Sequence, residues 1–138
     1  MSQTIRVVLR EVLHAHIPTL TVNSTVREAV DKMDIYQFPA LVVVDADMVP
    51  IAVITEGDIC RAVVRRDSFL SMANEPVLPS ASKDPMVADV NDEISEALHR
   101  MFASGNTILP VLDSGRLAGV VLRVDLLQAI MMDASVLE

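Results

Sequence analysis

The chain has a single cysteine, Cys60, and no tryptophan. One thiol excludes an intramolecular disulfide and any all-cysteine metal site. Aromatics make up 3% of the 138 residues, so a core must come from Val, Ile, Leu, Ala and the eight Met. Only four Gly are present, and none falls into a phosphate-loop or dinucleotide glycine pattern. Long apolar runs are missing too. Those around residues 41–44 and 48–54 are far short of the roughly 18 residues that a membrane-spanning helix needs. The N-terminus reaches Arg10, Glu11 and His14 without a continuous apolar stretch. That is no secretory signal, so the expectation is a soluble cytoplasmic protein without a membrane partner. Positive charge is scarce: 11 basic residues against 19 acidic give a net −8. Nucleic-acid backbones are held by clustered Lys and Arg that release counterions, so direct nucleic-acid binding is disfavoured. A small anion held by backbone amides is still compatible.

What is present is a hydrophobic fraction of 51%, ample for a core, and an internal repeat. Residues 21–33 align with 89–101 at an offset of 68: Val22, Asn23, Glu28, Ala29 and Met33 recur as Val90, Asn91, Glu96, Ala97 and Met101. Lys32/Arg100 is a conservative pair, and Leu41, Val43 and Asp45 fall on Leu109, Val111 and Asp113. The offset then drops to 67, placing Val53, Asp58 and Ala62 on Val120, Asp125 and Ala129. The chain is a tandem duplication of a unit of about 60 residues.

Each unit reads strand–helix–strand–strand–helix. Thr25-x-x-Glu28 is a capping box opening a helix with Val26, Ala29, Val30 and Met33 on its apolar face. Asn91 or Asp92 caps the counterpart, with Ile94, Ala97, Leu98 and Met101 as its stripe. Two β-branched runs separated by turn residues follow in each copy, residues 40–44 and 51–54, then 108–112 and 117–122. Asp58 and Asp125 each open a further helix, and a short strand near 19–22 or 87–90 comes first. Residues 1–66 hold an N-terminal helix over 5–14 and the first repeat, 67–85 a Pro- and Ser-bearing linker, and 86–138 the second repeat. The fold class is mixed α/β (α+β). Each unit alone is small for its apolar surface, so the two repeats are expected to pack about a pseudo-twofold axis.

The residues after the second β run carry a pattern: Val53-Ile-Thr-Glu-Gly-Asp-Ile59, and Pro110-Val-Leu-Asp-Ser-Gly-Arg-Leu-Ala-Gly119 running into Val120-Val-Leu-Arg-Val-Asp-Leu126. This resembles the cystathionine-β-synthase (CBS) domain, with its Pro-Val-Val-Asp, Gly turn, Gly-Ile-Val and Thr-x-x-Asp-Leu. Two copies in register make the chain similar to a stand-alone CBS pair, or Bateman module. The resemblance implies a regulatory module, not an enzyme, that senses AMP, ADP, ATP, S-adenosylmethionine or NAD-type ligands in clefts between the repeats. No cofactor is required, the regulated protein is unknown, and a homodimer is expected, packed through Val26, Val30, Met33, Ile94, Leu98 and Met101.

By the same resemblance Asp58 or Asp125 accepts the ribose hydroxyls, and Thr55 faces ribose or phosphate. The adenine slot is formed by Ile17, Thr19, Val42, Val87, Thr107, Ile108 and Pro110, the segments by the opening strand and before the hairpin. The second copy has Leu122 in place of the family's Thr, followed by Arg123, which can reach a phosphate. Retention of both Thr55 and Asp58 makes the first copy the expected stronger site. The chemistry is compatible, because a carboxylate can take a vicinal diol by charge-assisted bonds. Two plainer readings stand beside it: helix-capping aspartates, and an interaction or dimerisation module with vestigial clefts. His14-x-His16 suggests a metal pair, but nothing near it in sequence completes a ligand set. Arg61, Arg65 and Arg66 form a small basic patch, read either as a solvated helix end or as a phosphate contact.

Overall fold

The computed structural model describes residues 7–65 and 69–137. The chain forms two compact units, one of residues 17–85 and one that joins residues up to His16 with 86–138. The architecture is mixed α+β with the expected element order in each repeat.

The unit of residues 17–85 has a four-stranded sheet in the order β1 (Thr19–Leu20), β2 (Ala40–Val44), β3 (Pro50–Thr55), β4 (Ser82–Lys83). β1 is parallel to β2, and the other pairs are antiparallel. Helices α1 (Val26–Tyr36) and α2 (Glu56–Val64), with the short α3 (Phe69–Ala73), accompany the sheet. α1 begins as the sequence requires: the Thr25 hydroxyl accepts from Glu28 N–H at 3.2 Å. It ends at Gln37, whose φ of 58° is left-handed, a conformation that costs a non-glycine residue energy. Leu20, Ala29, Leu41, Val43, Ile54 and Val77 are fully or almost fully buried in one cluster.

The second unit repeats this plan with β5 (Ala88–Asp89), β6 (Ile108–Asp113) and β7 (Arg116–Leu122), flanked by α4 (Ile94–Ser104) and α5 (Arg123–Leu137). The β6–β7 turn uses Ser114 and Gly115 at φ 54° and 82°, the two positive values that a tight hairpin favours. Gly105 closes α4 at φ 73°, 68 positions after Gln37. α4 starts at Glu93 without a side-chain cap. Asp92, an expected cap, accepts instead from Asp89 N–H and Arg100.

The N-terminal segment departs from expectation. Its described part, from Val7, holds one 3-10 turn (Leu9–Glu11) and an isolated bridge at His14, where a helix over 5–14 was predicted. It packs on the second repeat, although in sequence it precedes the first. Ile94 N–H bonds Val7 O, Leu9 N–H bonds Asp92 O, and His14 exchanges both backbone bonds with Val120. The predicted linker does the same for the first repeat: Val26 N–H bonds Glu75 O, Val77 N–H bonds Ser24 O, and Ser82 pairs with Val53. Every partner in one set lies 67 or 68 positions from its counterpart in the other. The duplicated unit therefore includes its lead-in, and each lead-in completes the hairpin sheet of the other repeat. Leu9 and Val77 are the fully buried anchors of the two segments, each worth about 1.5–3 kcal/mol of burial.

This pairing explains Gly119, which aligns with Ala52. A Cβ at 119 would stand 2.3 Å from His14 O and 3.0 Å from its carbonyl carbon. The neighbouring Leu13 side chain could swing aside, but the paired backbone could not. Gly119→Ala is therefore expected to cost about 1–3 kcal/mol through forced displacement, read as a lower urea midpoint. An unchanged midpoint would contradict the His14–Val120 pairing.

Candidate functional site

Both motif aspartates sit at the third position of their helices, one turn later than the expected capping place. In the first repeat Thr55 is the cap of α2: its hydroxyl accepts from Asp58 N–H at 3.1 Å. Asp58 Oδ2 accepts in return from Thr55 N–H at 3.0 Å. This reciprocal box satisfies two orphan donors at once. Asp58 Oδ1 is bound by the Arg61 guanidinium at 2.6 Å. Arg61 is therefore the aspartate's own partner as well as an exposed helix residue. Glu56 N–H bonds Pro39 O at 3.0 Å, which ties the start of α2 to the segment before β2.

The second repeat holds the same frame with different side chains. Asp125 Oδ2 accepts from Leu122 N–H at 2.8 Å. Leu122 has no hydroxyl to return the bond. The imidazole of His14 meets the same oxygen, its Nε2 at 2.9 Å from Asp125 Oδ2. Asp125 Oδ1 has no hydrogen-bond partner among the described residues. Arg123 is the exposed first residue of α5.

Cross-strand register places the remaining candidates along the two sheets. Ala40 lies opposite Thr55 and Thr19 beside Val42. Ile17 is half-buried just before β1. In the second unit Ile108 lies opposite Leu122 and Pro110 opposite Val120, so Thr107 stands at the end of the sheet where α5 begins. Val42, Ile108 and Pro110 are buried on the strand faces turned away from the helix-packed clusters. The Thr107 hydroxyl is buried and has no hydrogen-bond partner among the described residues. A buried hydroxyl left unpaired costs on the order of 1–3 kcal/mol. The aligned residue in the first repeat is Pro39, which has no such group.

Two cations of the frame were visible in the sequence only as a conserved-character pair. Lys32 Nζ donates to Thr19 O at 2.8 Å, and Arg100 donates to Val87 O at 2.7 Å. Each ties the opening-strand carbonyl at the expected adenine slot to the first helix of its repeat. The partnership of His14 with Asp125 was not legible, because the two are 111 positions apart. Among the described residues no group of three His, Cys, Asp or Glu could hold a metal ion. The expected dimer residues Val26, Met33, Ile94 and Met101 are core residues of their own units; Val30 is half-exposed and Leu98 is partly buried. Arg66 lies outside the described residues.

The CBS domain family profile matches residues 9–65 and 78–132. The chain belongs to the CBS-domain family. The profile's breaks fall close to the two lead-ins, which carry least of the recurring sequence. A curated relative from Acidianus ambivalens, an uncharacterized 17.7 kDa protein, is 33% identical over 110 residues. That alignment covers 79% of this chain and 64% of the relative. Among solved structures, CBSX2 in complex with AMP superposes with a TM-score of 0.78 at 16% identity, covering 91% of this chain and 96% of that one. The CBS domain pair of protein MJ0100, in complex with 5′-methylthioadenosine and S-adenosyl-L-methionine, gives 0.77 at 18%, covering 93% and 98%. At these identities the two structures establish the CBS-pair fold. No helix among the described residues is long and apolar enough to cross a membrane.

Proposed function

We propose that this CBS-domain chain is a regulatory, non-catalytic module that binds an adenosine-type ligand and transmits its presence to a partner protein. The observation that carries the reading is in the second repeat. A buried hydroxyl without a partner, on Thr107, stands at the same sheet end as a carboxylate with one oxygen uncommitted, on Asp125. A nucleoside brings what both lack. Its ribose diol donates to Asp125 Oδ1, and a ring-edge or ribose group pairs with Thr107. The structures of CBSX2 with AMP and of the MJ0100 pair with S-adenosyl-L-methionine support this ligand class.

On this reading the second repeat is the stronger site, the reverse of the order expected from the motif residues. Thr55 and Asp58 match the family pattern better, but each is engaged by the other, and Arg61 holds the remaining oxygen. A ribose at Asp58 would have to displace that guanidinium. One cysteine and no disulfide suit a reducing compartment, so a cytoplasmic location is part of the proposal. Homodimerisation is the second part. Val124, Leu127 and Met131 leave an exposed apolar stripe along α5, and Val30 leaves a smaller one on α1. Stripes of this kind are covered by a partner copy in closed twofold dimers.

Two outcomes follow. AMP, ATP, S-adenosylmethionine and NAD are screened by thermal shift, and at least one should raise the melting temperature. Asp125→Ala should then weaken the best ligand about tenfold or more, the loss of a charge-assisted acceptor, and Asp58→Ala should cost less. No shift with any of the four, or the opposite ranking, contradicts the site assignment. Light scattering at micromolar concentration should give a dimer mass, and Leu127→Lys should lower it to that of the monomer. A monomeric wild-type chain contradicts the dimer.

A further inference from the structure

We infer that two copies of this chain dock head to tail, α5 of each seated in a groove between α1 and α2 of the other. The inference rests on the dimer reading above and goes beyond it, since it names the surfaces that meet and their order.

The two repeats carry unlike surfaces at matching positions. In the first, a groove of about 730 Å³ opens between the end of α1 and the start of α2, lined by Val30, Met33, Phe38, Ile59 and Cys60. The aligned positions on the helices of the second repeat are bulkier: Leu98 for Val30, Val124 for Gly57, Leu127 for Cys60 and Met131 for Val64. The outcome there is a ridge. Val124, Leu127 and Met131 are 62%, 45% and 63% exposed along α5. Helices pack by setting the ridges of one into the grooves of another. At Cys60 the first repeat has room where the second, at Leu127, has surplus bulk.

Charge follows the same division. Glu56 and Asp34 stand on the wall of the groove, and the residue aligned with Glu56 is Arg123. Neither Glu56 nor Arg123 has an ion-pair or side-chain hydrogen-bond partner among the described residues. Helix stability does not account for Arg123. It is the first residue of α5, at the end where a cation opposes the helix dipole. It lies one turn before Leu127, on the face of the ridge; Asp125, two residues from each, lies off that face.

Size and charge select one order. A twofold axis joining like repeats would set Glu56 against its own copy, Arg123 against its own copy, and ridge against ridge. Joining opposite repeats brings Arg123 to Glu56 and Leu127 to the space beside Cys60. Like-charge juxtaposition penalises the first order, and complementarity favours the second. The twofold repeats the contact in the other direction, so the pair closes and no filament follows.

The test is disulfide mapping in a mixed dimer. The wild-type chain, whose one thiol is Cys60, is mixed with a heavy-isotope-labelled Cys60→Ala, Leu127→Cys chain and gently oxidised. Peptide mass spectrometry should find Cys60 of one chain joined to the thiol at position 127 of the other. Cross-links only between identical positions, or none in a sample of dimer mass, overturn the head-to-tail order and leave the dimer standing. A second measurement needs no thiol. Glu56→Arg and Arg123→Glu should each weaken the dimer about tenfold, the scale of two exposed ion pairs turned repulsive, and the double variant should return to within about twofold of wild type. A folding defect in one variant is not repaired by the other, so recovery in the double variant separates docking from stability. Single variants without effect, or a double variant no tighter than either, overturn the order too. A wild-type chain that light scattering finds monomeric fails the dimer reading, and this inference with it.

Discussion

Each hairpin of this protein is finished by chain that belongs, in sequence, to the other repeat. Residues 7–14 bond the second repeat at Ile94, Asp92 and Val120, and residues 75–83 bond the first at Val26, Ser24 and Val53. An open antiparallel hairpin exposes a row of unpaired backbone groups. Here the exposed side of β3 is met by β4, and that of β7 by the strand-like stretch around His14. The same contacts seat Leu9 and Val77 in the two cores and meet the first residue of each repeat's first helix, Val26 and Ile94. A unit truncated at its repeat boundary would lose its edge pairing and its buried anchor together.

The repeated frame also shows how two motifs of common origin diverge. The backbone geometry is kept: a strand-end N–H on the aspartate, a cation on the opening-strand carbonyl, a lead-in on the last strand. The side chains around it differ. Thr55 closes a reciprocal cap that Leu122 cannot make, and Arg61 occupies the oxygen that in Asp125 is uncommitted. Pro39 stands where Thr107 carries a buried hydroxyl. Self-satisfaction stabilises the first motif as structure, whereas the second keeps unmet hydrogen-bonding capacity, and the proposed ligand site rests on that difference.

Much of this was legible in the residues. The 68-residue offset, the apolar stripes of α1 and α4, and the paired β runs are local patterns, and local patterns survive in sequence. The lead-ins were not legible as part of the repeat, because residues 7–14 and 75–82 share backbone roles and little side-chain identity. A backbone carbonyl that accepts a bond leaves no mark on residue type. Gly119 was the one visible trace, a glycine aligned with Ala52, and its meaning required knowing that His14 lies against it. The aspartates were found by resemblance, but their helix position was misjudged by one turn. An acidic residue three places after a strand end serves a capping box as readily as it serves a ligand. Of the apolar helix positions expected to cover a dimer, Val26, Met33, Ile94 and Met101 are taken up within their own units, while Val30 remains half-exposed and Leu98 is partly buried.

The central claim, that the second repeat carries the open nucleoside site, is tested most directly by residue-resolved NMR of the intact chain titrated with adenosine. Amide shifts concentrated at Thr107, Ile108 and residues 122–126, with the Thr107 hydroxyl proton becoming slow to exchange, are the predicted result. Shifts confined to residues 55–59, or none at either motif, would contradict it.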